Sequence, residues 1–452
     1  MAISIQHGFP EGNLRHLQKR HNMDNLIRTE TGKKKILILS APIGSGHRMA
    51  AEAIGEALSR LGNTDVVQGN IFHFFPSILG TIFLRTYEKI LKFCPCLYAF
   101  TYRWGNQGGT SLGMRSLINT VLLRLGKSYI DGVQPDIVFS THATSTGIMS
   151  LYKEKYDPNL WLGVIVTDFT VHRWLVCKGV DAYFLADGKL FSQIKDKIGN
   201  KKPSLYAFGI PVRRDFSEEV DITLLRKKLR EEFGWEEDAF VCLLAGGGGG
   251  MLPMETILRQ MVPSGTESIA NLNDSDQLDK KLTTEIKHFR LIAVTGHNEA
   301  LQRRLRSLET SFFMTREQDN IAGTLNYRRE SSLAVLGFTD QMPRLMRGAD
   351  VVITKAGGVS LAECLACGAH IVLYDPLPGQ EQANSIFVQR EYGVESAADA
   401  GQLADVLRRI AAVPVEERLQ LQEDRQKAFG HPDAMDKIVE FTNNLFKLNV
   451  EK

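Results

Sequence analysis

The sequence predicts an α/β protein made of two Rossmann-like domains, and three observations carry that expectation. At 452 residues and 43% apolar content the chain can bury two cores, and a single core rarely grows that large. Near its start, the apolar run Ile36–Leu39 passes through a Gly44-Ser45-Gly46 turn into a helical pattern. Near its end, Val351–Thr354 and Ile371–Tyr374 read as buried parallel strands around a short helix that follows the paired glycines Gly357-Gly358.

Composition narrows the function classes. With 54 basic against 52 acidic residues, no global field draws the chain to nucleic acid. The six cysteines are scattered and no secretory signal opens the chain, so a reducing compartment is expected. Cys94-Pro95-Cys96 and Cys364-x-x-Cys367 lack a second ligand pair, and no acidic metal triad is apparent, so no metal or other cofactor is expected. No apolar run approaches the roughly 18 residues of a membrane span. Residues 1–32 are polar and mixed in charge and read as a flexible segment.

Lys33–Lys35 lead into the first strand, and Ser40–His47 turn into a helix with Met49, Ala50, Ala53, Ile54, Ala57 and Leu58 on its apolar side. Met49 stands where a dinucleotide fingerprint needs its third glycine. His47 opens that helix, where its imidazole would face the crevice above the sheet; read alone, it is more simply a helix-cap histidine.

From Ile71 to Lys127 the composition shifts. Ile71–Phe75 and Ile78–Leu84 are apolar, and Tyr87, Ile90 and Leu91 recur at helical spacing. Tyr98, Phe100, Tyr102 and Trp104 follow, and Arg85, Lys89, Lys92, Arg103, Arg115, Arg124 and Lys127 stand against one acid, Glu88. Dense aromatics with few acids favour peripheral docking on an anionic membrane over a core helix pair with a solvated basic edge. Pro76 and Arg85 speak against a spanning helix.

Asp136–Ser140 and Leu162–Val166 are the next strands, stopping at Thr141-His142-Ala143 and at Thr167–His172. Ligands of open α/β sheets collect beyond the carboxyl ends of strands, so these polar stops point into one crevice. Gly209-Ile210-Pro211-Val212 is the connector where the first domain should end. After a charged helix around Asp221–Phe233, the strand Val241–Ala245 runs into Gly246–Gly250, whose backbone N–H groups can approach a pyrophosphate. No Walker lysine-serine pair follows, which disfavours a P-loop NTPase. Leu291–Val294 is another strand, and Pro263–Thr284 and Glu309–Ser332 read as long polar insertions.

In the final βαβ unit Ser360 reads as an N-cap and Gly368 as the terminator, with Glu363 one turn into the helix. The loop Asp375–Gly379 carries two prolines, and Gln380-Glu381-Gln382 with Asn384 opens the next helix. Paired glycines at a helix N-terminus suit a phosphate, and a carboxylate and amides beside them suit sugar hydroxyls. An ordinary α/β unit with glycines for close packing explains the same spacing.

The stretch Val351–Asn384 resembles the nucleotide-sugar motif of GT-B glycosyltransferases in the family containing MurG and the monogalactosyldiacylglycerol (MGDG) synthases. PLPGQEQAN is closer to the glycolipid-synthase branch, which includes processive diacylglycerol glucosyltransferases, and GSGHRMAAEAI resembles the glycine-rich loop of that branch. Val166–Trp174 resembles its acceptor-side motif, and Val335–Met342 the segment bordering uracil. The resemblance implies that Glu363 holds the uridine ribose, Gln380 and Glu381 the donor hexose, and Phe338 the uracil ring. It assigns the diphosphate to Gly247, Gly248, Gly249, Gly357, Gly358 and Ser360, and the acceptor to Gly44, Gly46, His142, His172 and Trp174. His47 and Asp168 become candidates for the catalytic base, with His172 a further acid-base candidate and Asp168 equally a turn cap.

The expected organisation is a flexible segment 1–32, an acceptor and membrane-docking domain 33–212, a nucleotide-sugar domain 213–434, and a C-terminal helix 435–452 packing back on the first domain. The expected activity is inverting transfer of a hexose from a UDP-sugar to diacylglycerol, by a peripheral protein on the cytoplasmic face of the cell membrane. Two rivals stay open: a MurG-like UDP-GlcNAc transferase with a polyprenyl-linked acceptor, and a non-catalytic lipid- or nucleotide-binding regulator of the same fold.

Overall fold

The structure, a computed structural model, describes residues 33–41, 45–74, 95–107, 109–198, 203–248, 250, 252–261, 286, 288–312 and 332–448. Most of the two long polar insertions and the basic residues Arg85, Lys89 and Lys92 lie outside the described residues, as do Gly44 and Gly249.

Twelve strands among the described residues form two parallel six-stranded sheets. The first holds β1 (Lys34–Ser40), β2 (Thr64–Asn70), β3 (Ile137–Ser140), β4 (Trp161–Ile165), β5 (Ala182–Phe184) and β6 (Ser204–Tyr206), in the order β2-β1-β3-β4-β5-β6. The second holds β7 (Phe240–Ala245), β8 (Phe289–Val294), β9 (Leu333–Leu336), β10 (Val351–Thr354), β11 (Ile371–Tyr374) and β12 (Glu395–Ala397), in the order β12-β11-β10-β7-β8-β9. Ile36–Leu39 and Val351–Ile353 are fully buried, as expected for strands covered by helices on both faces. The order of each sheet reverses once, between β1 and β3 in the first and between β7 and β10 in the second. Crevices at such switch points are where open α/β sheets bind ligands.

The helices of the first domain are α1 (Ser45–Ser59), α2 (Pro95–Gln107), α3 (Thr110–Val133), α4 (Ala143–Lys155) and α5 (Phe191–Lys195). Ala50, Ala53, Ile54 and Leu58 give α1 a buried face at helical spacing. The second domain carries α6 (Ile222–Phe233), α7 (Met254–Met261), α8 (Glu299–Phe312), α9 (Met342–Gly348), α10 (Gly358–Ala366), α11 (Gln380–Tyr392), α12 (Ala400–Ala411) and α13 (Val415–Phe429). The last helix, α14 (Ala434–Leu448), returns to the first sheet, where Met435, Ile438 and Phe446 share a core with Ile36, Ile38 and Ile54. Phe441 packs its ring 5.0 Å from Tyr206 and 5.1 Å from Phe184.

One buried polar cluster fixes the second domain from below. Asp350 is fully buried just before β10, where its carboxylate meets Arg226 (2.5 Å), Arg230 (2.8 Å) and Arg418 (3.0 Å) and accepts from Val241 N (2.8 Å). Fully paired, it ties α6, β7 and α13 to the entry of β10, at the end of the strands opposite the crevice.

Two sequence expectations are corrected at this level. Ser360 is not an N-cap: α10 begins at Gly358 with Gly357 at the cap position, so Ser360 lies within the first helical turn. Arg115 does not face a membrane: its guanidinium donates to the carbonyls of Trp174 (3.2 Å) and Val176 (3.1 Å), binding α3 to the loop after β4. Lys127 pairs with Asp131 one turn along α3 and stays at the surface.

Candidate active site

The first-domain half of the site forms where β1 and β3 end. His47, in the first turn of α1, shares a 2.7 Å hydrogen bond through Nδ1 with the hydroxyl of Thr167, and its carbonyl accepts from Thr141 Oγ1 at 3.2 Å. The Nε2 of His47 has no hydrogen-bond partner among the described residues. The His142 ring stands edge to face with it, centroids 5.1 Å apart. His142 caps α4 by accepting Thr144 N on Nδ1. Burial, reinforced by His47 and His172, pushes His142 down to about 3, so its ring stays neutral beside His47.

Gly46 lies against the second domain, where a Cβ would meet Val359 at 3.2 Å. His172 is held away from proton chemistry. Its Nδ1 accepts Trp174 N (3.2 Å) and its Nε2 donates to the Tyr102 carbonyl (3.1 Å), so both ring nitrogens latch α2 to the loop. Burial lowers its pKa, which keeps it in the neutral form that this pairing requires. Trp174 packs near the same latch, and its buried indole N–H has no partner among the described residues.

The second-domain half surrounds the switch point between β7 and β10. Gly247 and Gly250 adopt positive φ (68° and 60°), and a Cβ on Gly250 would stand 2.6 Å from Thr295 O. The Gly248 carbonyl accepts His297 N at 3.1 Å. The glycines of this loop are therefore required both by its turn and by close backbone packing on the loop after β8. His297 and Phe338 stack with centroids 4.3 Å apart and planes 12° from parallel, and Phe338 is 59% exposed. Together they make an aromatic shelf at the sheet's carboxyl edge.

Across β10, Lys355 is buried beside the Gly357-Gly358 turn. It lies close enough to Glu381 for its charge to oppose the burial that raises that carboxyl's pKa. Glu381 Oε2 also accepts Leu377 N at 2.9 Å, which fixes the Pro-rich loop. Glu363 is only 7% exposed, and burial pushes it up to about 7, with Arg213 opposing and Asp215 adding to the effect. Arg213 and Asp215 belong to the connector between the domains, which thus reaches the donor side.

The halves meet at Asp168. Gln380 Nε2 donates to its Oδ2 (2.6 Å) and Asn384 Nδ2 to its Oδ1 (2.9 Å). Asn384, fully buried, also donates to Ala356 O (3.0 Å) and accepts Phe169 N (2.9 Å). A Cβ on Gly358 would lie 2.0 Å from Thr167 O and 2.8 Å from Asp168 Oδ1, so only glycine allows this approach. Further along α11, Phe169 packs on Phe387 and Tyr392, Tyr392 Oη donates to Asp187 (2.8 Å), and Lys189 pairs with Glu391 (2.7 Å). Asp168 is thus not the cap of its own turn; its carboxylate crosses to the other domain.

A model of the monogalactosyldiacylglycerol synthase family matches residues 47–212, and a model of the glycosyltransferase family 28 C-terminal domain matches residues 261–436. The chain is a glycosyltransferase whose two halves match these two related families. It is 26% identical over 360 residues to a processive diacylglycerol β-glucosyltransferase of Bacillus licheniformis, covering 79% of this chain and 81% of the relative. It is 26% identical over 356 residues to the Bacillus subtilis protein of the same name, covering 79% and 81%. In fold it resembles MurG of Acinetobacter baumannii, with a TM-score of 0.53 at 13% identity over 91% of this chain and 99% of MurG. The architecture is GT-B.

Sequence reasoning gave no individual role to Thr167, Lys355 or His297, and it grouped Asn384 with the sugar-binding amides and not with Asp168. For Asn384 a signal was available: it lies four residues after Gln380, so both amides fall on one helix face and reach one carboxylate.

Proposed function

We propose that this family member transfers a hexose from a UDP-sugar to the free hydroxyl of diacylglycerol, with inversion, while docked peripherally on the cytoplasmic face of the membrane. The observation that carries the reading is an imidazole with an open Nε2, His47, standing across the domain seam from the Gly357–Glu381 motif. The diacylglycerol β-glucosyltransferases that the chain resembles suggest the substrate class.

His47 is the base in this mechanism. Both oxygens of Asp168 already accept amide hydrogens from the second domain, which suits a closure residue better than a proton acceptor. His47 Nε2 takes the proton of the acceptor hydroxyl as that oxygen bonds to the anomeric carbon, and the carbon–oxygen bond to the diphosphate breaks with its electron pair leaving on UDP. Backbone N–H groups of the Gly247–Gly248 loop and of the first turn of α10 stabilise the departing diphosphate, with Lys355 adding a full positive charge. Uracil stacks on the Phe338–His297 shelf, Glu363 accepts the ribose hydroxyls, and Gln380 and Glu381 orient the hexose.

The lipid side is supported by α3. Met114, Leu117, Ile118, Val121 and Leu125, at helical spacing, are 37–60% exposed, and Phe100 on α2 is 66% exposed. Such a stripe on one helix is an exposed apolar patch that a bilayer interface would cover. No helix among the described residues is long and apolar enough to cross a membrane.

The test is product analysis with UDP-glucose and UDP-galactose, each with diacylglycerol in anionic vesicles, reading products by mass spectrometry and anomeric configuration by NMR. A β-glycosyldiacylglycerol is the expected product. Transfer to a polyprenyl-linked sugar and not to diacylglycerol overturns the acceptor assignment.

A further inference from the structure

We infer that Thr167 is a positioning residue whose hydroxyl accepts the Nδ1 proton of His47, fixing the tautomer that leaves the Nε2 lone pair open at the seam. This deepens the proposed function and rests on its assignment of His47 as base.

The two ring nitrogens of a neutral histidine are not equivalent: the partner of one decides which carries the proton. Here the partner of Nδ1 is the Thr167 hydroxyl at 2.7 Å, and Nε2 has none among the described residues. Thr167 is 4% exposed at the carboxyl end of β4, so its hydroxyl is screened from competing water. The neighbouring carboxylate is not available for this task, because Asp168 points the other way, into the amides of Gln380 and Asn384. One dipeptide therefore serves two partners, a hydroxyl for the base and a carboxylate for the facing domain. Because the hydroxyl is neutral, it orients the ring without forming an ion pair when the imidazole gains its proton.

The segment is also held from behind. The Thr167 carbonyl abuts Gly358, and the Phe169 N–H is taken by Asn384. The orientation of His47 is thereby set by a segment that the donor domain clamps when the seam is closed.

The experiment compares the wild type with Thr167→Val, which keeps the shape and removes the hydroxyl, and Thr167→Ser, which restores it. In ¹⁵N-histidine-labelled protein, long-range ¹H–¹⁵N correlation spectra report each ring's tautomer, and the signals lost in His47→Ala identify His47. The wild type and Thr167→Ser are expected to show His47 protonated on Nδ1, and Thr167→Val a mixture of tautomers. Turnover should fall about 10- to 100-fold in Thr167→Val, with both substrate KM values within about twofold of wild type and recovery in Thr167→Ser. Circular dichroism and UDP calorimetry establish that each variant is folded. A wild-type His47 tautomer in Thr167→Val, or a wild-type His47 protonated on Nε2, overturns the inference. A changed tautomer with unchanged kcat upholds the positioning role and removes His47 as the base.

Discussion

Glu363→Gln should make the protein more stable at alkaline pH and leave it nearly unchanged at acid pH. Glu363 is buried, and its pKa rises from 4.5 to about 7, chiefly through burial. The folded protein then holds a proton that the unfolded chain releases between those values, so stability falls as pH rises through that window. The difference corresponds to about 3 kcal/mol, at about 1.4 kcal/mol for each pH unit. It is nearly absent at pH 4.5 and complete above pH 8. Glutamine keeps the shape and cannot ionise, so the variant escapes this loss. For a domain of 150–250 residues about 2–4 °C accompany each kcal/mol, so the variant's Tm should exceed wild type by about 6 °C or more at pH 8.5. Differential scanning fluorimetry without nucleotide, from pH 4.5 to 8.5, reads this directly. A Tm difference that does not grow with pH would refute the buried, proton-holding glutamate. Above the Glu363 pKa, at pH 8.5, the same variant should also bind UDP more weakly, by about 1–3 kcal/mol, because ribose hydroxyls lose an ionised acceptor; calorimetry checks this.

Other predictions follow from the seam and the stripe. His47→Ala should lower kcat by about 10²–10⁴, whereas Asp168→Asn should lower it less; steady-state kinetics giving the reverse order would reassign the base. Gly358→Ala forces Thr167 and Gly358 apart, and loss of near-attack geometry should cost at least about 10²-fold in kcat/KM with an unaltered circular dichroism spectrum; activity within a few-fold of wild type would contradict the close approach. Replacing both Leu117 and Val121 by Ser should weaken vesicle binding by about 2–3 kcal/mol through lost apolar burial. Co-sedimentation at low and high salt should show that this loss is insensitive to salt, and equal recovery of the variant would remove α3 from the docking face.

Much of the fold was legible because its signals are local. Buried parallel strands such as Ile36–Leu39 and Val351–Thr354 are continuous apolar runs, and the turns after them carry glycines at fixed places. The stacked shelf was half legible: Phe338 was identified, while His297 becomes its partner only when the loops after β8 and β9 lie side by side. The bonds at Asp168 were hidden for a different reason. Gln380 lies 212 residues away in sequence and Asn384 216, and no periodicity reports a contact made by two domains closing. Arg115 misled because charge composition counts a guanidinium as surface charge even when nearby carbonyls satisfy it. Ser360 misled because an N-cap preference is weak beside a glycine that can begin the helix earlier.

Helix α11 is bonded to the first domain at both ends, by Gln380 and Asn384 to Asp168 and by Tyr392 and Glu391 to Asp187 and Lys189. Gln380, proposed above to orient the hexose, is thus also one of the amides that tie the two domains together. On the proposed reading, a sugar that takes Gln380 displaces Asp168, and the free energy of that exchange is subtracted from the observed affinity. By reciprocity, the same bond helps hold the shut form against thermal opening. Substitutions that loosen α11 should then tighten UDP-sugar binding while slowing turnover, setting affinity and speed against each other along a single helix.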